Sequence, residues 1–484
     1  MLFNSIGFLI FFPIVVLIYF ALPSKYRNIW LLSASYYFYA CWSVEYAAML
    51  FFTTLVTYFS ARFMHGEYKK VIFCGCLTLN ICILLGIKFF SIGSVLLGKV
   101  LEILHMSLDM EVFSVVLPVG MSFYMFQSLG YLIDVYRGTI KAENNFVKYA
   151  LYVSFFPTIL SGPIERSGNL LRQIQRGTEF SYENAKAGLL MMLFGYFQKI
   201  LISNRIAPLV NDAYTNYESG SILMWAVILY GIQIYTDFAG YSYIAQGTAK
   251  VLGFNIIENF KRPYFAVSIK DFWSRWHISL SQWLRDYVYI SLGGSRQGKF
   301  KTYRNLILTF LISGIWHGNG LGFIVWGLLH GTYQVMGRVT ETYRRKLKQK
   351  LRINTECWSY HFFQGVITFV LVDFAWMFFS TSSVTKAFSI MHQVIYNFNL
   401  GEVVLHKFYM LGMEESRFFL LLIEIAIVIF VDILHEKGIS IIAWLNKQNI
   451  VFRWGIYFTI IFVIIIGSIY NYGAEASAFI YTQF

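Results

Sequence analysis

Two histidines in the sequence lie where an imidazole could act on a hydroxyl group. His317 ends one apolar run, within Ser313-Gly-Ile-Trp-His-Gly318, and a second apolar run follows at once. A neutral imidazole with a pKa of about 6.5 suits a general base, and the flanking glycines would let a backbone or a substrate approach closely. A histidine that only packs between helices is the alternative. His277, in Arg275-Trp-His277, could face the same cavity from the cytoplasmic side or could be a solvated interface residue.

Asp237 is a third candidate, because an aspartate within the apolar run 221–245 must be paired, solvated or neutralised. It could hold a catalytic histidine or a cavity arginine in place, or it could make a hydrogen bond between helices. Arg285 would fit a cationic lining that attracts an anionic donor such as a phosphate-bearing thioester; a solvated face that marks topology is an equal alternative. His330 is expected to be structural, since it follows His317 by more than three helical turns.

Metal and nucleotide patterns are missing from the sequence. The five cysteines show no CxxC pair and no Cys/His ligand spacing, so we predict no metal site and no disulfide framework. There is no GxxxxGK[ST], no GxSxG and no HExxH motif. The chemistry is therefore expected to come from isolated side chains that the helices bring together.

The composition indicates a membrane protein. Of the 484 residues, 57% are apolar, 19% are aromatic and 13% are charged, against roughly 25% charged residues in a soluble domain. This excludes a soluble enzyme, a disordered chain and a disulfide scaffold. The net charge of +13 arises from cations between the apolar runs, so it indicates topology rather than nucleic-acid binding.

Twelve stretches approach the roughly 20 mainly apolar residues that a span requires. We predict an all-α polytopic membrane protein in which about 10–13 helices are embedded in the membrane. The chain is expected to form one domain, residues 1–484. The candidate spans are 6–22, 29–43, 46–62, 71–90, 113–133, 186–203, 221–245, 305–320, 321–337, 359–379, 417–434 and 455–471.

Positive charges orient these spans. Lys25 and Arg27 follow the first span, and seven cations with one acid lie between Arg338 and Arg352. Both places are predicted to be cytoplasmic, which puts both termini outside, including the tail 472–484.

Two regions are too polar or too broken to span lipid. Region 254–304 carries nine cations among many aromatics, with amphipathic spacing over 271–277 and 283–289. In region 154–177, prolines and a glycine interrupt an apolar run. We expect both to lie in the interface or to line a cavity.

Seven short motifs over about 150–335 resemble the membrane-bound O-acyltransferase (MBOAT) family, in its bacterial branch that includes the alginate O-acetyltransferase membrane subunit. Tyr243 departs from the pattern, since aspartate is expected there, so no role is given to it. The motifs are Phe155-Phe-Pro157 with Ser161-Gly-Pro163, Tyr235-Thr-Asp-Phe-Ala-Gly-Tyr-Ser242, Asp271-Phe-Trp-Ser-Arg-Trp-His-Ile-Ser-Leu-Ser281, Leu284-Arg-Asp-Tyr-Val-Tyr289, Leu292-Gly-Gly-Ser295, Trp316-His-Gly318 and Trp326-Gly-Leu-Leu-His-Gly331.

The resemblance implies a ring of helices around a funnel or tunnel. It implies that His317 is the catalytic residue and that His277 faces the tunnel; we suggest His277 as the oxyanion donor. Trp276 and Trp316, with Asp237 and Arg285, are then expected to line or support the tunnel.

The tail adds a further hypothesis. The chain ends Phe479-Ile-Tyr-Thr-Gln-Phe484, and the resemblance implies that Tyr481 accepts the acyl group and passes it outside the cell. An aromatic anchor at the membrane interface is the alternative.

The expected function is acetyl transfer from cytoplasmic acetyl-CoA through the bacterial inner membrane to an extracytoplasmic polysaccharide or cell-wall glycan. The expected partners are membrane lipid, an extracytoplasmic SGNH-type transferase and a glycan acceptor, with no bound cofactor and no nucleic acid. D-alanyl transfer from a carrier protein to teichoic acid stays open as an alternative, and so does a transporter.

Overall fold

The computed structural model describes residues 1–103, 118, 120–404, 413–470 and 480. Within these residues every regular element is a helix and no strand occurs, which confirms the all-α prediction. The α-helices are α1 (Ile6–Ala21), α2 (Ser24–Ala40), α3 (Val44–Phe63), α4 (Lys69–Ile103), α5 (Met121–Arg137), α6 (Phe146–Ser154), α7 (Phe156–Ile159), α8 (Arg172–Arg176), α9 (Tyr182–Tyr196), α10 (Asn204–Asn216), α11 (Gly220–Val251), α12 (Ile269–Arg275), α13 (Ile278–Trp283), α14 (Lys299–His317), α15 (Leu321–Val339), α16 (Glu341–Lys350), α17 (Trp358–Thr381), α18 (Val384–Tyr396), α19 (Leu400–Val404), α20 (Glu415–Glu436), α21 (Ile441–Asn446) and α22 (Ile450–Tyr470).

Seven helices in the described part of the chain are long and apolar enough to cross a membrane. Each of them covers one predicted span, so the multi-pass prediction is confirmed. The other five predicted spans correspond to α1, α2, α5, α14 and α15, which are helical but shorter or less apolar. The seven are Val44–Phe63, Gly66–Phe90, Tyr182–Asn216, Gly220–Val251, Trp358–Thr381, Glu415–Glu436 and Ile450–Ser468.

The chain divides into two compact units. The first comprises residues 1–185 and 249–257, and the second comprises 186–248 and the chain from 258 onward. The assignment of one domain to 1–484 stays a prediction.

A buried carboxylate organises part of the first unit. Glu165 lies in the broken region 154–177 and is 1% exposed. It accepts hydrogen bonds from the Asn169 side chain at 2.8 Å and from the Ile257 backbone N–H at 2.5 Å. Burial raises the pKa of Glu165 to about 7, although these hydrogen bonds act in the opposite direction. The predicted interruption is thus a short α7, an irregular turn and a π-helical segment, Ser167–Leu171, around this group.

Glycines set a close helix crossing in the second unit. A Cβ atom at Gly195 of α9 would lie 2.5 Å from the backbone oxygen of Gly240 in α11, which only a residue without a side chain tolerates. Small residues allow two membrane helices to approach in this way. After α9 the chain continues as a π-helical segment, Phe197–Ser203, before α10 begins. One turn beyond the crossing, this segment therefore faces α11.

Region 254–304 contains short helices, as predicted. It folds into α12, α13 and a π-helical segment, Leu284–Tyr289. The predicted helical spacing over 271–277 is interrupted, because α12 ends at Arg275. Arg275 forms ion pairs with Asp271 at 2.9 Å and with Glu436 of α20 at 3.0 Å, which fixes the end of α12 to a late helix.

Candidate active site

His317 is the last residue of α14 and is buried, with 4% of its surface exposed. One turn earlier Gly314 faces α15, where an added Cβ atom would overlap the backbone oxygen of Phe323. This close crossing brings the Trp326 ring centroid to 5.0 Å from that of His317. The flanking glycines therefore admit the backbone of the next helix, as the sequence indicated.

His277 lies near His317, on the other side of a shared tryptophan contact. The Trp316 ring centroid is 6.1 Å from that of His277 and 4.8 Å from that of His317. His277 is fully buried and has a φ of 42°, in the left-handed region. Such a conformation costs on the order of 1–3 kcal/mol for a non-glycine residue and is frequent at functional sites. The structure thus brings the two predicted histidines and Trp316 together.

Asn259 selects the tautomer of His277. Its side-chain oxygen accepts the backbone N–H of Ser279 at 3.1 Å and lies 3.4 Å from Nδ1 of His277. An oxygen can only accept, so the proton of His277 is assigned to Nδ1 and the lone pair to Nε2. Burial lowers the pKa of His277 to about 3, which keeps the ring neutral. His277 is therefore arranged to accept a hydrogen bond at Nε2. The role suggested for it from the sequence, a hydrogen-bond donor to the oxyanion, would instead require a proton on that nitrogen.

His330 has the structural contacts that the sequence led us to expect. The Trp273 indole N–H donates to its Nδ1 at 3.2 Å, so its proton is assigned to Nε2. The Trp326 ring centroid is 5.0 Å from that of His330, the same distance as from that of His317. His330 is fully buried and supports the tryptophan that contacts His317.

Among the described residues, Asp237 pairs with neither a histidine nor an arginine. It is fully buried, and Oδ1 accepts Lys199 Nζ at 2.5 Å and Ser203 Oγ at 2.9 Å. Its other oxygen, Oδ2, accepts the backbone N–H of Ile480 at 2.8 Å. Of the alternatives posed by the sequence, the contact between helices is the one observed, and it includes a residue of the tail. Tyr481, the predicted acyl acceptor, lies outside the described residues.

Trp276 supports the site from within an aromatic cluster. Its ring centroid lies 5.0 Å from that of Phe260, 5.1 Å from that of Trp376 and 5.5 Å from that of Phe272. It is 1% exposed. Trp276 therefore packs behind His277 and does not face open space.

A basic cavity of about 350 Å³ lies among the elements that carry these histidines. Its lining contains three cations, Lys270, Arg285 and Arg338, and no acid. Arg285 is also paired with its neighbour Asp286, at 2.8 Å. The lining is completed by Trp273, Ser274, Ile278, Ser281, Gln282, Leu284, Tyr289, Leu306, Thr309, Phe310, Ser313 and Gln334.

Two residues in the lining of the basic cavity are close in sequence to the two histidines. Ile278, in its lining, follows His277 directly, and Ser313 precedes His317 by one turn of α14. The Ser313 hydroxyl is buried and has no hydrogen-bond partner among the described residues. A thioester whose phosphates bind at the cations could therefore extend its acyl end toward the histidines.

Sequence reasoning missed Lys199 and Asn259. Lys199 could have been found, because it is a cation in the interior of the predicted span 186–203, whose other cation, Lys186, is its first residue. Asn259 gives no signal in one sequence, since an asparagine in a polar region is ordinary. No group of three or more metal-ligating side chains occurs among the described residues.

The fold and the site define a polytopic membrane protein with buried histidines beside a basic cavity. The sequence profile of the membrane-bound O-acyltransferase (MBOAT) family matches residues 140–384, which include every element of this site except Ile480. The chain belongs to that family, and it is a membrane-bound O-acyltransferase.

Curated relatives cover most of the chain. The protein named "probable alginate O-acetylase AlgI" in Azotobacter vinelandii is 35% identical over 82% of this chain and 78% of the relative. The peptidoglycan O-acetyltransferase of Helicobacter pylori is 32% identical over 82% of this chain and 80% of the relative. The teichoic acid D-alanyltransferase of Bacillus subtilis is 30% identical over 54% of this chain and 68% of the relative.

Proposed function

We propose that the protein transfers an acetyl group from cytoplasmic acetyl-CoA through the bacterial inner membrane, for O-acetylation of an extracytoplasmic polysaccharide or cell-wall glycan. The observation that carries the proposal is the basic cavity, whose lining contains Ile278, next to the buried His277, and Ser313, one helical turn before the buried His317. Three cations and no acid suit a donor with several phosphate charges. The names of the alginate and peptidoglycan relatives support acetyl as the group and a glycan as the final acceptor.

His317 is the general base of the proposed reaction. It takes the proton of an acceptor hydroxyl while the hydroxyl oxygen attacks the thioester carbonyl carbon. The carbon–sulfur bond of the tetrahedral intermediate then breaks, the thiolate of CoA takes up the proton, and an acetyl ester remains on the acceptor. The oxyanion requires a hydrogen-bond donor, and the Ser313 hydroxyl in the cavity lining is the donor we assign in place of His277.

Tyr481 is the first acceptor hydroxyl in this proposal. Its neighbour in the chain, Ile480, is buried and bonded to Asp237, which supports an inward path for the tail. The acetyl ester would then pass to an SGNH-type transferase outside the membrane and on to the glycan.

The proposed orientation puts the basic cavity on the cytoplasmic side and both termini outside. The cations between Arg338 and Arg352 support it, because α16 in this segment buries no residue and is free to lie in water.

D-alanyl transfer to teichoic acid is the second candidate. The similarity to a teichoic acid D-alanyltransferase over half of the chain favours it. Because the chain is a member of an acyltransferase family, the transporter alternative is set aside.

The test is acyl transfer in vesicles with radiolabelled acetyl-CoA, comparing the wild type with His317→Gln. We expect the label transferred to protein or glycan to fall about 10²–10⁴-fold, the usual contribution of a general base. His361→Gln, which replaces an exposed histidine of α17, is the matched control and should leave transfer unchanged. Equal label with His317→Gln would contradict the proposal. Transfer only from a D-alanyl carrier would select the second candidate.

A further inference from the structure

The carboxylate of Asp237 receives three hydrogen bonds, and one of them comes from the end of the chain. Lys199 and Ser203 donate to Oδ1, at 2.5 and 2.9 Å, and the backbone N–H of Ile480 donates to Oδ2 at 2.8 Å. Asp237 and Lys199 are fully buried, and Ile480 is 6% exposed. The chain therefore returns to the interior of the second unit at Ile480 and bonds to a buried carboxyl group there.

We propose that Lys199, Ser203 and Asp237, here called the tail receptor, bind the C-terminal segment through the backbone of Ile480 and so position Tyr481. These are positioning residues, because they act through the tail. The inference deepens the proposed function and rests on it for its purpose, since Tyr481 is the proposed acceptor. The binding of the tail itself can be tested without any acyl transfer.

The chemistry of the receptor explains why a backbone group completes it. A buried carboxylate is stable only if its oxygens are hydrogen-bonded as well as paired with a cation. Lys199 and Ser203 occupy one oxygen of Asp237, and an amide N–H is a strong partner for the other because one member of the bond is charged. A tail that left would expose Oδ2 without that donor.

The tail receptor contacts the backbone of the tail, at the N–H of Ile480, rather than a side chain of the tail. The N–H of Ile480 fixes where the main chain passes Asp237, one residue before Tyr481. A contact through a side chain of the tail would instead occupy a group that chemistry could use. The receptor therefore holds the segment at Ile480, one residue before Tyr481, through a main-chain group.

The last helix approaches the same segment as the tail does. A Cβ atom at Gly467 of α22 would overlap the side chain of Leu201, two residues after Lys199. Gly195, one turn before Lys199, is in contact with Gly240 of α11, one turn after Asp237. The π-helical segment is thus in contact with both α11 and α22. These helix contacts hold Lys199 and Ser203 in place independently of the bond to Ile480.

The first experiment measures release of the tail with a thiol reporter. Ile480→Cys is placed in a full-length chain whose five native cysteines are replaced by alanine, and its reaction with a water-soluble maleimide is timed. Lys199→Met with Asp237→Leu removes both charges and the acceptor while keeping the volume, a change that buried pairs often tolerate. We expect labelling to accelerate about tenfold or more, the equivalent of one charge-assisted hydrogen bond.

The matched control is a second buried ion pair of this unit. Arg205 and Glu424 pair at 3.0 Å with side chains 6% and 5% exposed, and the backbone N–H of Ile480 donates to Asp237 rather than to this pair. Arg205→Met with Glu424→Leu should leave the Cys reporter at position 480 as protected as in the parent chain. Equal labelling rates in the two double variants would overturn the tail receptor.

A second pair of variants covers the case in which the charge-free receptor does not fold. Ile480→Pro removes only the N–H, since proline has no amide hydrogen, and Ile480→Val keeps it. With a Gln483→Cys reporter, maleimide labelling should be about tenfold faster in the proline variant. Equal rates would overturn the proposal.

Acyl transfer then separates this inference from the proposed function. If labelling accelerates as expected and Tyr481→Phe abolishes transfer, both stand. If labelling accelerates and Tyr481→Phe keeps full transfer, the receptor stands and the carrier role of the tyrosine is wrong. In Ile480→Pro the expected loss falls on kcat, about tenfold, with an unchanged KM for acetyl-CoA.

Discussion

The basic cavity and the tail receptor are two polar regions of the same unit that differ in net charge and in solvent exposure. The cavity holds three cations and no acid in its lining, and the Arg285 side chain is 61% exposed. In the receptor one cation and one acid neutralise each other, with side chains 0% and 1% exposed. A ligand that diffuses in requires an accessible site with an excess of opposite charge, whereas a segment of the same chain requires only a neutral anchor. The difference indicates that the basic cavity exchanges its ligand with the solvent, whereas the tail receptor keeps its segment bound.

The largest expected effect is the loss of one charge from the receptor. Lys199→Met leaves the carboxyl group of Asp237 buried without its cation, which costs about 3–5 kcal/mol of unfolding free energy. Arg285→Met in the cavity should change stability by no more than about 0.5 kcal/mol, because its side chain is largely in water. Thermal unfolding of the purified protein measures both. Similar losses in the two variants would remove the contrast between a closed and an open region.

The next effect separates the two regions by geometry alone. Gly314→Ala presses on the Phe323 carbonyl beside His317, and Gly195→Ala presses on Gly240 beside the receptor. Each overpacked crossing should cost about 1–3 kcal/mol of stability. We expect Gly314→Ala to lower turnover about 10²-fold through displacement of His317, and Gly195→Ala to speed labelling of the position-480 reporter.

The control for these two variants is Gly75→Ala in α4, where nothing lies within 4 Å of the added methyl group. It should leave both turnover and labelling unchanged. Both variants could instead speed labelling of the position-480 reporter and slow turnover to the same extent. That result would mean that the basic cavity and the tail receptor are structurally coupled.

A smaller effect tests the open charge of the cavity. Arg338→Glu reverses one of its three cations, so the KM for acetyl-CoA should rise about tenfold at low salt with kcat retained. The difference should shrink as ionic strength increases, because exposed charges are screened. Lys346→Glu, on the exposed α16 outside the cavity, is the control. An unchanged KM for Arg338→Glu would mean that the donor binds elsewhere.

Much of the fold could be predicted from the sequence, because apolar length and charge decide membrane spans. Seven predicted spans match long apolar helices, and the two broken regions are short helices as expected. His317 and His277 could be named because their motifs resemble those of the family, and their proximity around Trp316 follows the same prediction.

The contacts between distant residues could not be predicted. Asp237 was recognised as costly in an apolar run, but its partner Lys199 depends on a crossing that Gly195 and Gly240 permit, and no spacing in one dimension encodes it. The same holds for Asn259, which reaches His277 only because the chain turns through a left-handed residue. The helices and the motifs could thus be predicted from local sequence patterns. The hydrogen-bond partners of Asp237 and His277 could not, because they depend on how the helices pack.

The last expected effect concerns the protonation of His277, which is one of the two histidines near the basic cavity. Burial lowers the pKa of His277 from 6.5 to about 3, so between these values the unfolded chain binds a proton that the folded chain does not. Its contribution to stability is complete above pH 6.5 and is lost progressively as the pH falls toward 3, by at most about 1.4 kcal/mol per pH unit. His277→Asn should therefore flatten the fall of the unfolding temperature between pH 6.5 and 4.5. An unchanged slope would mean that His277 is solvated in the folded protein and that Asn259 does not hold a neutral ring.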